Sequence, residues 1–288
     1  MKKTVTIQDI SCIGKCSITV ALPILSAMGI DTAVLPTTLL STHSGFPGFY
    51  SRDLSSDFFP IINHWKERGV SFDSIYTGYL GSKIHVDYVK EFIKEFKKDD
   101  TLLIVDPAMA DNGRMYSGID PSFSSHIRKL AEEADVILPN MTEASFLLGR
   151  DLIDKEYGEE DIVSILKDLA KLGSKKVVLK GISFTKDQKH LGDIEGKIGN
   201  ATYDGNTERI SWHFHERINQ AFCGAGDVFA SSFTGALMRG FQIEEAVSIS
   251  GDFVLQAIKR TMEEKDYTTL YIDFEKALPW LMERIGII

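Results

Sequence analysis

Asp227 stands directly behind two glycines and in front of an apolar run, in Cys223-Gly-Ala-Gly-Asp227 followed by VFASSF. Flanking glycines open backbone geometries closed to other residues and let another molecule come close. A helix starting there offers unpaired N–H groups and a positive dipole end, which together attract anions. An acid in that position is either a helix cap or a base beside a bound anion, and the tetrapeptide alone supports both. Tyr79, in Gly78-Tyr-Leu-Gly81, is either a packing residue in a glycine turn or an apolar face for a flat heterocycle. In Asp106-Pro-Ala-Met-Ala-Asp111 two carboxylates could repel, cap, or help hold a hydrated magnesium ion, which prefers oxygen ligands and keeps several waters. Asn140-Met-Thr-Glu143 has the spacing of a capping box, the reading that the spacing favours. Glu143 in a first helical turn could also reach a metal-bound water. Lys180 closes VVLK before Gly181, either as a solvated strand end or as a flexible charge for a phosphate.

Two other features carry less. His213 and His215 alternate along an expected strand and could face one side, but no further ligand cluster accompanies them, so both are read as surface residues. Cys223, beside Gly224, is read as a small packing residue.

The elements that must position these groups follow a regular order. Short β-branched runs at Thr4–Gln8, Thr32–Leu35, Ser74–Thr77, Leu102–Asp106, Val136–Leu138 and Lys176–Lys180 alternate with amphipathic stretches. The latter lie around Thr19–Met28, Ser56–Arg68, Lys83–Lys97, Pro121–Glu133 and Glu159–Lys171. Such βαβα order predicts a three-layer α/β fold, a mostly parallel central sheet with helices on both faces. Ligands then gather at the carboxyl ends of the strands. Lys186–Arg217 breaks the rhythm as a polar, Gly-rich segment that could form short strands or a flap. Helices are expected afterwards near Asp227–Arg239, Glu244–Met262 and Phe274–Arg284.

Composition bounds the partners. The chain has 288 residues, 43% of them hydrophobic, and a formal net charge of −9. That charge speaks against a nucleic-acid surface without excluding one local anion site. Cys12, Cys16 and Cys223 make neither a disulfide framework nor a paired zinc motif. No segment approaches the roughly 18 apolar residues of a membrane span, and the start shows no cleavable leader. The expectation is one cytoplasmic domain over residues 1–288, with no membrane or nucleic-acid partner.

Taken together and in order, TIQDISCIG, TTLLSTHSGF (Thr37–Phe46), GYLG, DPAMAD, PNMTEA and CGAGD resemble the ribokinase-like superfamily, and within it the pyridoxal/pyridoxine kinase branch. The resemblance implies ATP-dependent phosphorylation of the 5'-hydroxymethyl group of pyridoxal, pyridoxine or pyridoxamine, for pyridoxal phosphate salvage. It implies Asp227 as catalytic base and the amides of Gly224, Ala225 and Gly226 as an anion hole. Tyr79 would pack on the pyridine ring, with His43 and Ser44 lining its pocket. Asp106, Asn140, Glu143 and Lys180 would serve ATP, with Asp106 and Glu143 reaching Mg²⁺ through water. A flap around 183–200 would cover the nucleotide. A monovalent cation and a homodimer belong to the same set of implications.

One departure stands out. Where these kinases usually carry serine after Ile-Gln, this chain has Asp9, an acceptor when ionised, which would favour a protonated ring nitrogen or an amino group. A hydroxymethylpyrimidine kinase, whose aminopyrimidine donates hydrogen bonds, is the alternative on the same fold. A non-catalytic vitamin-binding protein is a third reading, against which the intact Asp227 speaks.

Overall fold

The structure, a computed structural model, describes residues 1–151, 157–184, 191 and 194–288. The first half contains β1 (Lys3–Ser11), α1 (Ile18–Ala27), β2 (Asp31–Leu40), β3 (Ser51–Asp53), α2 (Ser55–Glu67), β4 (Ser74–Thr77), α3 (Lys83–Phe96) and β5 (Leu102–Val105). A two-stranded hairpin, β6 (Ala110–Asp111) and β7 (Arg114–Met115), leads to α4 (Phe123–Ala131), β8 (Val136–Ile137), α5 (Met141–Leu148) and α6 (Glu159–Ala170). The second half continues with β9 (Lys176–Ile182), β10 (Lys197–Asp204), β11 (Arg209–Glu216), α7 (Ala225–Met238), α8 (Ile243–Met262) and α9 (Leu278–Arg284).

Nine strands form one sheet in the order β11-β10-β9-β8-β5-β4-β1-β2-β3. The six central strands, from β9 to β2, are parallel, while β3, β10 and β11 are each joined to the neighbour on their inner side by antiparallel pairing. This is the expected α/β architecture. Strand residues alternate between two cores, as a pleated sheet buried on both faces requires. Ile75, Leu103, Val105, Ile137, Val177 and Leu179 point to one core, with α2 to α6 packed over it. Tyr76, Ile104, Val136, Leu138 and Val178 point to the other, covered by α1, α7, α8 and α9.

The segment after Lys186 resolves into a hairpin at its end: β10 and β11 pair from Lys197↔Glu216 to Asp204↔Arg209. The expected flap around 183–200 falls partly outside the described residues, since 185–190 and 192–193 are not among them. The last expected helix divides into a 3-10 turn, Phe274–Ala277, and α9. Pro279 explains the break, because a residue without N–H fits the first turn of a helix and not its interior. Among the described residues, no helix is long and apolar enough to cross a membrane.

The core beneath α3 holds an aromatic cluster. Phe92 is fully buried and its ring centroid lies 4.5 Å from Phe96 and 5.9 Å from Phe72. Removing that ring leaves a cavity that rigid neighbours cannot fill. Phe92→Ala should lower unfolding free energy by about 3–5 kcal/mol, read from urea denaturation. A loss below about 1 kcal/mol would show that the ring is not held by this packing.

Candidate active site

The carboxyl ends of the parallel strands supply the site. Asp9 and Ser11 close β1, His43 and Ser44 follow β2, and Tyr79 follows β4. Asp106 follows β5, Asn140 follows β8, and Lys180 lies near the end of β9. These, with Glu143 and Gly224, Ala225, Gly226 and Asp227, line a single cleft of about 970 Å³. Every residue assigned a site role from the sequence therefore reaches one place.

Asp227 lies in the first turn of α7, whose first intrahelical bond runs from the Val228 N–H to Gly224 O at 2.9 Å. The amides of Ala225, Gly226 and Asp227 thus have no acceptor within the helix. Gly224 holds φ at 84°, and a Cβ there would sit 2.7 Å from the Lys15 carbonyl oxygen. Only glycine allows both the turn and the close approach of the two loops. Part of Asp227 opens to the cleft, but the protein crowded around its carboxyl strips away water. That desolvation lifts its pKa to about 7; the Ser17 N–H opposes the rise, Asp106 and Asp9 add to it, and Lys180 opposes it.

Ser17 was not legible as a site residue. It begins α1 with φ 55° and ψ −124°, in a turn where Lys15 also has φ 48°. Non-glycine residues in that region cost on the order of 1–3 kcal/mol each. The strain turns the Ser17 N–H toward Asp227 while its hydroxyl serves Asp9. Asp9 also accepts from Ser11 Oγ at 2.9 Å, and burial raises its carboxyl to about 6. Cys16, in the same turn, also faces the cleft; burial and then the Asp227 carboxylate push its thiol well above the usual range.

Deeper in the cleft, Lys180 Nζ donates to both Asp106 oxygens at 2.9 Å. Burial alone would lower the Lys180 ammonium, yet Asp106 and Glu143 hold it above the ordinary lysine range. Asn140 and Glu143 form the capping box that their spacing predicts, with Glu143 N–H on Asn140 Oδ1 and Asn140 N–H on Glu143 Oε2, both at 2.8 Å. Burial raises Glu143 to about 8, with Lys180 opposing. Asn140 Nδ2 donates to Ala110 O at 2.9 Å and so ties the β6–β7 hairpin to α5.

The other wall is aromatic. Tyr79 and Tyr116 lie with ring centroids 6.4 Å apart, and burial pushes the Tyr79 phenol up to about 12, so it stays neutral. Tyr116, brought in by the hairpin, is a second cleft residue the motifs did not reveal. The His43 ring is sandwiched so closely that Cβ atoms on Gly14 and Gly45 would stand 2.3 and 2.7 Å from it. Its Nδ1 accepts from Gly45 N–H at 3.0 Å while Nε2 donates to Leu270 O at 2.5 Å. His43 is therefore a neutral wall of fixed tautomer.

At the far end Ile218, Phe222, Val254, Leu255 and Ile258 make an apolar slot beside Asn200 and His215. This corrects the reading of the histidine pair as surface. His213 is half-buried with Nε2 3.0 Å from Asp252 Oδ1, and His215 lines the cleft. They do share one side of β11, with ring centroids 6.1 Å apart. The signal missing from the sequence was Gly251 of α8, where the lack of a side chain makes room for His213. Cys223 likewise lines the cleft; burial raises its thiol, so it is not an activated nucleophile.

Known proteins are similar to this chain in sequence and fold. The profile of the phosphomethylpyrimidine kinase family matches residues 63–270. A Bacteroides thetaiotaomicron protein assigned as a phosphomethylpyrimidine kinase, solved with pyridoxal, is 34% identical and superposes with a TM-score of 0.90 over 97% of this chain and 95% of that one. Pyridoxal kinase from Lactobacillus plantarum is 27% identical, with a TM-score of 0.86 over 98% and 97% of the two chains. Pyridoxal kinase of Dictyostelium discoideum is 24% identical over 86% of this chain and 80% of its own. The chain is a kinase of the phosphomethylpyrimidine kinase family, in the pyridoxal kinase branch of the ribokinase-like superfamily.

Proposed function

We propose that the protein transfers the terminal phosphoryl group of ATP to the 5'-hydroxymethyl oxygen of a vitamin B6 vitamer, the phosphorylation step of pyridoxal phosphate salvage. The observation that carries this is a desolvated carboxylate, Asp227, set between free helix amides and an aromatic-walled pocket. A relative solved with pyridoxal supports the same reading.

The vitamer ring packs on Tyr79, against the fixed His43 wall and beside Ser44. Asp227 accepts the hydroxymethyl proton as that oxygen bonds to the γ-phosphorus and the bond to the bridging β,γ oxygen breaks, releasing ADP. Amides of Gly224, Ala225 and Gly226 stabilise the charge on the transferring group. Lys180 meets the phosphates, positioned with Asp106 and Asn140. The nucleobase occupies the slot of Ile218, Val254, Leu255 and Ile258.

The donor set suits magnesium held at one remove. Lys180 engages both Asp106 oxygens, and backbone N–H groups engage both Glu143 oxygens, so these hard acceptors would hold a cation through water. Bound there, magnesium would neutralise charge on the β- and γ-phosphates. A monovalent cation and a homodimer, on the strength of family resemblance, and a single 1–288 domain in a cytoplasmic setting, from the sequence pattern, complete the proposal.

Phosphorylation of a hydroxymethyl aminopyrimidine is the second reading. It is favoured by the Asp9 carboxylate, an acceptor at the ring pocket, and by the name of the matching family.

Asp227→Asn should still bind vitamer and ATP in calorimetry while kcat falls about 10²–10⁴-fold. The wild-type group has its folded pKa raised from 3.8 to about 7, so its ionisation opposes folding as pH climbs through that window. The Asn variant should accordingly be more stable at pH 8, by at most about 4 kcal/mol. Near-normal kcat would remove Asp227 from the chemistry. For the ring pocket, kcat/KM is compared among pyridoxal, pyridoxine, pyridoxamine and hydroxymethyl aminopyrimidine. Wild type should prefer the vitamers to the pyrimidine, and Asp9→Ser should lower the pyridoxamine-to-pyridoxine ratio about threefold or more, the loss of one hydrogen bond. Unchanged ratios would leave Asp9 without a part in selection.

A further inference from the structure

Lys15 lies in the strained turn that precedes α1, and its side chain leaves the cleft altogether. Its Nζ pairs with Asp273, reaches Glu275 Oε2 at 2.9 Å, and lies 5.4 Å from the centre of the Tyr271 ring. Tyr271 and Asp273 belong to the segment joining α8 to the 3-10 turn at Phe274–Ala277, and Glu275 lies in that turn. That segment holds two other cleft loops as well. Leu270 O accepts from His43 Nε2, and Thr269 O accepts from Cys223 N–H at 2.9 Å. Tyr267 Oη and Gln220 Oε1 are 3.1 Å apart. Asp273 N–H in turn donates to Thr261 Oγ1 of α8 at 2.9 Å, which fixes the segment to the helical layer.

The turn so fastened cannot hold itself. Gly14, Lys15 and Ser17 have φ of 107°, 48° and 55°, and only the first is a glycine. Conformations of this kind persist where surrounding contacts over-determine them. Its product is the Ser17 N–H on Asp227, together with the Lys15 carbonyl lying against Gly224 at the mouth of the anion hole.

We propose that Lys15 is a positioning residue: its clasp on Asp273 and Glu275 keeps the strained turn closed, so that the Ser17 N–H orients the Asp227 carboxylate toward the reacting alcohol. Lys15 itself contacts neither substrate nor phosphate. The clasp works through the segment that also fixes His43 and the anion-hole loop, so three cleft walls share one anchor. This rests on the kinase reading given above.

The test measures wild type, Lys15→Met, Lys15→Arg, Asp273→Asn and the Lys15→Met/Asp273→Asn double variant, with ATP and each vitamer. Circular dichroism and thermal melting establish that each variant is folded. Lys15→Met and Asp273→Asn should each lower kcat about tenfold, equally for all vitamers, with KM for ATP and vitamer within about threefold of wild type. The double variant should be no worse than the poorer single one, because both changes open the same clasp. Lys15→Arg should keep at least half of kcat. A folded Lys15→Met with kcat within twofold of wild type would overturn the proposal, as would losses that multiply in the double variant or an effect confined to KM. Absence of vitamer phosphorylation by the wild-type protein would instead overturn the functional reading, and the proposal with it.

Discussion

Desolvation of one carboxylate governs this molecule. Asp227 sits where the protein has displaced most of the water that would stabilise its charge, so it holds its proton up to about pH 7. Left there alone it would be a liability. Two arrangements make it usable: the Ser17 N–H from the opposite loop and the Lys180 ammonium further in. Each opposes the burial without satisfying the carboxylate so fully that it loses its appetite for a proton. A base of that strength suits an alcohol, whose proton becomes acidic only as the oxygen bonds to phosphorus.

The fold supplies these groups from distant parts of the chain because parallel strands all end on one side. Six consecutive neighbours in the sheet deliver Asp9, His43, Tyr79, Asp106, Asn140 and Lys180 to the same edge, and α7 crosses that edge with its N-terminus inward. Negative charge accumulates as a result. Asp9, Asp106, Glu143 and Asp227 face a cleft in which Lys180 is buried among the acids. The imbalance leaves the cleft an acidic one, with Lys180 as a cation among its described carboxylates.

Much of this was readable from residue types. The succession of strands and helices followed from β-branched runs and amphipathic stretches, and the site motifs lay at strand ends, where glycines and acids have few structural reasons to recur. The Asn140–Glu143 cap was visible because its spacing is a local property. What escaped depends on contacts between distant segments or on backbone angles. Ser17 belongs to the site through a φ that no rule for serine suggests, and Tyr116 arrives by the β6–β7 hairpin. An Asn112-Gly113 pair, with φ of 49° and 76°, turns that hairpin, and those two residues were an available signal. His213 was misjudged because α8, whose gap at Gly251 receives its ring, lies 38 residues further on. The resemblance to known kinases joined motifs that were individually ambiguous.

The most direct measurement is a structure of the protein with pyridoxal and a non-hydrolysable ATP analogue. The account predicts a hydroxymethyl oxygen within about 3.2 Å of an Asp227 carboxylate oxygen. It also predicts γ-phosphate oxygens on the Ala225 and Gly226 amides, in line with that alcohol. An alcohol directed to another residue, with Asp227 touching only Ser17, would contradict it.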